Sequence, residues 1–119
     1  MTSQQEIAPS VLVPLAAQID ITTCGQACDQ LSVALIFGAP VVIADFTLTT
    51  FCDCATLRAL LAVHRQAAAS HAELRIAVPL SSPVRRLMQI TGLDEQFRLY
   101  PTAAHAAAPQ FPQSADRSP

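Results

Sequence analysis

The sequence contains no lysine, no asparagine and no tryptophan, and it has one tyrosine and three glycines. All seven bases are arginine, only Arg85 and Arg86 are adjacent, and no stripe of bases interleaves with aromatics. The electrostatic footprint of a nucleic-acid-binding protein is therefore missing. There is no Gly-rich phosphate loop, no apparent Ser/His/Asp set, and the carboxylates are too scattered to name an acid–base pair. No apolar run reaches the roughly 18 residues that span a bilayer, and no basic N-terminus leads into one as in a signal peptide. A soluble, cytoplasmic protein without membrane contact is expected. The arginine-only basic set, with abundant Ala and Pro, suggests a GC-rich bacterial genome.

What is present points to one packed domain. The 119 residues are 51% hydrophobic and 13% charged, with a formal net charge of −2, a balance suited to a globular core. Residues 1–9 and 109–119 ("PQFPQSADRSP") are polar or proline-rich without periodicity, so a flexible N-terminus and a disordered tail are expected around a domain at 10–108.

Within that domain, Val11 to Ile19 reads as a strand, and Pro14 predicts an edge position because proline cannot donate to a ladder. Asp20 to Thr23 offers helix-start chemistry. Cys24, Ala27, Cys28, Leu31, Ala34 and Leu35 then recur in steps of three and four, one face of a helix ending before Gly38 and Pro40. Val41 to Phe46 is a continuous apolar run, as in a strand buried on both faces. Asp53 to about Ala69 predicts a second helix with Leu57, Leu60, Leu61 and Ala68 on its inner face. Leu74 to Val78 predicts a strand ended by Pro79. In "SSPVRRLMQITGL", Ser82 can cap a helix, Pro83 suits its first position, and Gly92 can take the left-handed end. Phe97 to Tyr100 adds a strand and Thr102 to Ala108 a short helix. Such alternation predicts an α/β fold with helices packed on a largely parallel sheet.

The segment Phe51-Cys52-Asp53-Cys54-Ala55-Thr56-Leu57 follows a buried strand and opens a helix. Together with Ile19-Asp20 upstream, and with Pro83 to Leu87 and Thr91-Gly92-Leu93-Asp94 downstream, it gives residues 17–106 a family resemblance. The chain resembles a STAS domain of the anti-sigma factor antagonist type. The resemblance implies a small central mixed or parallel β-sheet with about four α-helices, and a function of binding rather than catalysis. Such proteins capture an anti-sigma factor, usually a serine kinase, and so free a sigma factor for transcription. It implies a partner-binding surface of Asp20, Ile21, Thr22, Cys52, Asp53, Cys54, Ala55 and Thr56, no cofactor, and a monomer or weak dimer. The kinase normally phosphorylates the second serine of the loop, which here is Ala55, without a hydroxyl. Thr56 could accept phosphate instead, but one residue along a helix turns the side chain by about 100°. An antagonist deaf to that kinase, or controlled in another way, is expected.

The cysteines admit three readings. The resemblance places Cys24 near Cys52 and Cys54, so a redox switch at the docking face is one. Packing is another: Cys24 and Cys28 lie on an apolar stripe, and free Cys is often buried. A zinc site is the third, although C-x₃-C followed by C-x-C matches no common ligand spacing and His64, His71 and His105 add none. Two other functions fit parts of the chain. A thioredoxin-like thiol oxidoreductase also opens its site with cysteines at a helix start, yet C-x-C would make a strained disulfide and Asp53 disfavours thiolates. A STAS subunit of a lipid-transport complex shares the resemblance and needs no phosphoserine.

Overall fold

The computed structural model describes residues 10–108. The segments expected to be a loose N-terminus and a tail lie outside the described residues. The elements in chain order are β1 (Ser10–Pro14), β2 (Gln18–Ile19), α1 (Cys24–Ile36), β3 (Val41–Asp45), β4 (Phe51–Cys52) and α2 (Cys54–Ala69). They continue with β5 (Glu73–Ala77), α3 (Pro83–Thr91), a short 3-10 turn at Leu93–Glu95, β6 (Arg98–Tyr100) and α4 (Ala103–Ala107). Four strands form a sheet in the order β1-β3-β5-β6, and β2 pairs separately with β4. Every pairing among the described residues is parallel. This is the expected α/β architecture with four helices.

The single strand expected from Val11 to Ile19 is two. Pro14 pairs with Asp45 at the end of β1, which lies on the sheet edge, and the Leu15 N–H still donates to the Asp45 carbonyl (3.0 Å). Beyond that point the partner changes. The Ala16 carbonyl accepts from the Thr49 hydroxyl (2.7 Å), and the Ala17 carbonyl from the Thr50 N–H (2.8 Å). The loop after β3 thus takes over the ladder and starts β2 beside β4.

Side chains alternate across the pleat. Val42, Ala44, Leu74, Ile76 and Val78 enter the larger core with Leu31, Leu57, Leu60 and Met88. Val41, Ile43 and Ala77 face the other way, under Ala106 of α4 and Tyr100. β3 is covered on both faces, which is why it reads as an unbroken apolar run. On α2 the buried stripe is Thr56, Leu57, Leu60, Val63 and Ala67, so Ala68, expected inside, is exposed and Ala67 takes its place. α3 is built as its residues predict. The Ser82 hydroxyl accepts from the Val84 N–H (3.0 Å), Pro83 opens the helix, and Gly92 at φ 78° ends it in the left-handed conformation.

The second face is closed by a buried arginine. Arg75 points from β5 toward α4 with only 4% of its surface exposed. Its Nη1 donates to the carbonyls of Ala106 (2.7 Å) and Ala108 (3.1 Å), its Nε pairs with Glu73 (3.0 Å), and its guanidinium lies 5.8 Å from the Tyr100 ring centroid. Those bonds satisfy a charge that burial alone would make very costly. We expect Arg75→Met to release α4 at a cost of about 1–3 kcal/mol, the scale of a buried acceptor left unpaired. Hydrogen exchange should show protection lost at the Ala106 amide while the β3–β5 ladder keeps its own; unchanged protection at Ala106 would remove Arg75 from this role.

Candidate functional site

The parallel strands deliver their following loops to one end of the sheet. At that end the two register pairs Gln18↔Phe51 and Ile19↔Cys52 hold the turn before α1 beside the start of α2. Three aspartates shape this rim, each by binding a threonine close behind it. The Asp20 carboxylate accepts from the Thr22 N–H (2.9 Å) and hydroxyl (2.6 Å). Asp45 does the same with Thr47, at 2.9 and 2.6 Å. Asp53 caps α2 by accepting from the Thr56 N–H (2.9 Å) and hydroxyl (2.8 Å). The first turn of α1 lacks a side-chain cap at Thr23, and the Asp20 carbonyl accepts the Cys24 N–H (2.8 Å) instead.

The donors set the acidities. The Thr22 hydroxyl and then its N–H hold Asp20 below the usual carboxylate range. The Thr56 N–H and then its hydroxyl lower Asp53, against smaller upward pushes from burial and from the nearby Asp20 charge. The Ile19↔Cys52 register sets the two aspartates just beyond neighbouring strand ends.

Of the residues expected to meet a partner, Asp20, Ile21, Thr22 and Cys54 are exposed, and Asp53 and Ala55 are partly so. Cys52 and Thr56 are not. Cys52 points inward because alternate residues of β4 face opposite ways and Phe51 takes the outer side. Thr56 is 3% exposed, with its hydroxyl on Asp53 and within 3.4 Å of the Ile19 carbonyl. Both support the surface from beneath it. The hydroxyl of Thr56 is also closed to solvent while α2 keeps its first turn.

Three exposed apolar side chains on this rim escaped the sequence reading: Leu48 after β3, Phe51, and Leu80 after β5. They join Ile21, which is 71% exposed. The signal was available in "TLTT" and "PLSS", where an apolar residue sits alone among turn formers with no strand or helix to bury it.

All four cysteines are free. Cys24 and Cys28 pack partly buried against the main core, the packing reading. Burial, with smaller contributions from Cys24 and Asp29, pushes the Cys28 thiol up. Burial chiefly, then the Asp53 charge and Cys54, pushes Cys52 to about 11. A thiol so poised is a poor nucleophile, which counts against the thioredoxin-like reading. Among the described residues no three His, Cys, Asp or Glu side chains gather to hold a metal ion. His64 is half-buried, edge-on to Phe97 with centroids 5.8 Å apart, while His71 and His105 are exposed.

A family model described as the STAS domain matches residues 1–106. The chain belongs to the STAS domain family. No curated protein matches it. Solved STAS-like structures do. An anti-sigma factor antagonist from Mycobacterium paratuberculosis is 23% identical, covering 82% of this chain and 81% of that one at a TM-score of 0.68. SpoIIAA, an anti-sigma factor antagonist in its unphosphorylated form, is 23% identical, with coverage of 83% and 85% and a TM-score of 0.66. A sulfate transporter family protein from Wolinella succinogenes is 14% identical, with coverage of 90% and 89% and a TM-score of 0.71. These likenesses establish the fold. No helix among the described residues of this STAS domain is long and apolar enough to cross a membrane.

Two outcomes follow for the site. The bonds that Asp20 and Asp53 accept stabilise the fold fully above the unfolded carboxylate value of about 3.9, and that contribution is lost as pH falls through the lower folded values. The Thr22 and Thr56 amide resonances should therefore titrate with midpoints below about 3.9. Midpoints at or above it would mean the donors are not engaged. In timed alkylation of the native protein, Cys54 should react first and Cys52 last, and equal rates would contradict the burial of Cys52.

Proposed function

We propose that this STAS domain is an anti-sigma factor antagonist, acting in the bacterial cytoplasm by docking on a serine-kinase-type anti-sigma factor so that a sigma factor is released. One observation carries the reading: β2 and β4 join the Asp20–Thr22 turn to the start of α2, forming one exposed surface around Ala55. Its exposed Ile21, Leu48 and Leu80 among three aspartates suit a partner face with apolar sockets and cationic groups. The function is binding, so the site needs no nucleophile and no cofactor, and the protein acts as a monomer or weak dimer.

Ala55 defines the regulation. It stands where the family's phosphoacceptor serine would be, and Thr56 beside it is buried, so neither position at the start of α2 offers the kinase a hydroxyl and the antagonist stays active. In serine-bearing relatives a phosphate would bring about −1.5 to −2 charge units into the docking surface. Redox control keeps its support at Cys54 alone, the exposed thiol of the rim, since Cys52 is buried and Cys24 half-buried.

Calorimetric titration against each anti-sigma kinase of the same genome, under reductant, tests this. Wild type should bind one of them saturably and take up no phosphate from ATP. Ala55→Ser should bind, become phosphorylated, and then lose affinity by about tenfold or more, as two charges buried at an interface imply. No binding to any kinase, with Ala55→Ser equally inert, would overturn the reading and favour the transport-associated role suggested by the likeness to a sulfate transporter family protein.

A further inference from the structure

The sheet ends on one side at β1, and no described strand pairs with its outer edge. The Leu15 N–H donates to the Asp45 carbonyl, and in a parallel ladder alternate residues turn to the same neighbour. Val11 and Val13 therefore bond toward β3, while Ser10, Leu12 and Pro14 turn their backbone groups to the open edge. Natural sheets blunt such edges with charge, proline or a covering segment. This strand, "SVLVP", carries no charge, and Val11 and Leu12 are 41% and 47% exposed. Pro14 is the one guard in it, removing a single outward N–H at the end.

Two features flank this edge on the α1 side. Beyond the end of β1 lies a hollow of about 380 Å³, lined by Pro14, Leu15 and Ala16 and by Gln26, Ala27 and Gln30 of α1, with no charged residue in its wall. A cavity of about 150 Å³ already accepts benzene, so a phenyl ring has room there. The other feature is Phe37, the most exposed large apolar side chain among the described residues at 84%. It follows Gln30 by seven residues, and its N–H still closes a helical bond to the Val33 carbonyl (3.0 Å), so it stands on the same side of α1 as the hollow. Along the strand direction it lies at the other end, because Val41, four residues later, pairs with Ser10 at the start of β1.

A knob and a hollow at opposite ends of one open strand are what a two-fold axis makes self-complementary. In an antiparallel pairing of β1 with β1 of a second copy, centred on Leu12, the two Leu12 residues exchange both their bonds, and each Ser10 N–H donates to the opposing Pro14 carbonyl. Leu12 then covers Leu12 on one face of the sheet, and Val11 meets Val13 on the other. The same rotation carries Phe37 of each copy to the hollow of the other. We propose that this face joins two copies of the chain into a dimer whose sheets run on through β1, with each Phe37 seated in the other copy's hollow. Two buried phenylalanines contribute about 300 Å². With one pair of short strands added, the interface stays below the roughly 1,200 Å² of stable complexes, so the dimer is weak. The face shares no residue with the Asp20–Ala55 surface, and it holds or fails independently of the partner assigned there.

Sedimentation equilibrium of the full chain, paired with amide exchange, tests this. A reversible dimer should grow in between roughly 10 µM and 1 mM, and the Leu12 amide should gain protection as it forms. Phe37→Glu changes a side chain that the fold leaves exposed, and it should weaken association about tenfold or more because a carboxylate must enter an uncharged hollow. Gln30→Arg, which fills and charges the hollow, should weaken it likewise. Mixed in equal amounts, the two variants should recover association, since one contact is then native and the other an ion pair. Ile36→Glu, turned about 100° around α1 from Phe37, should leave it unchanged. A chain still monomeric at about 1 mM, equal weakening by Ile36→Glu and Phe37→Glu, or a mixture no tighter than its components would overturn the dimer. So would a Leu12 amide already protected in the monomer, which would mean that another part of the same chain covers the edge.

Discussion

The pairing of Gln18–Ile19 with Phe51–Cys52 is short, yet the rim at this end of the sheet depends on it. Without that ladder the turn before α1 and the start of α2 would be separate loops, each free to choose its own position. The pairing is possible because the chain leaves β3 as a partner after Leu15 and the threonines of the 46–50 loop bind the Ala16 and Ala17 carbonyls. A proline at the end of an edge strand and a Thr-rich turn far along the chain thus cooperate in one structural event. Asp20 and Asp53 then fix the local backbone, each by bonds to a threonine of its own turn.

Thr56 sets the character of this rim. Its methyl and hydroxyl fill the space beneath the surface, and the hydroxyl lies between Asp53 and the Ile19 carbonyl. The start of α2 is therefore tied both to its own cap and to the neighbouring strand. Ala55 beside Thr56 offers no hydroxyl. A rim tied down in this way has little ordering left to lose when a partner docks.

Much of the architecture was legible because local chemistry and tertiary burial agree. Ser82, Pro83 and Gly92 bound α3 as their intrinsic preferences predict, and the apolar run of β3 reports cover on both faces. Legibility failed where a residue's fate depends on a distant neighbour. Val11 to Ile19 looks continuous because nothing local records the change of partner at Leu15. Ala67 and Ala68 are chemically equal, so only the packing of α2 decides which is buried. The burial of Cys52 and Thr56 likewise depends on β2, more than thirty residues away by the Ile19–Thr56 contact. Within the site, the motif positions were readable from the resemblance, whereas the outward Leu48 and Leu80 needed the loops to be placed.

The Arg75 clamp has a consequence for how the molecule is made. β5 can pair with β3 as soon as residue 77 has left the ribosome, but the carbonyls that satisfy its guanidinium belong to Ala106 and Ala108. Until those residues emerge, one face of the nascent sheet presents a cation with Glu73 as its sole protein partner from that strand, beside uncovered Val41 and Ile43. A charge so placed keeps the half-finished sheet hydrated and discourages it from sticking to other unfinished chains. Synthesis of α4 then converts the same side chain from a guard against aggregation into the lock that completes the domain.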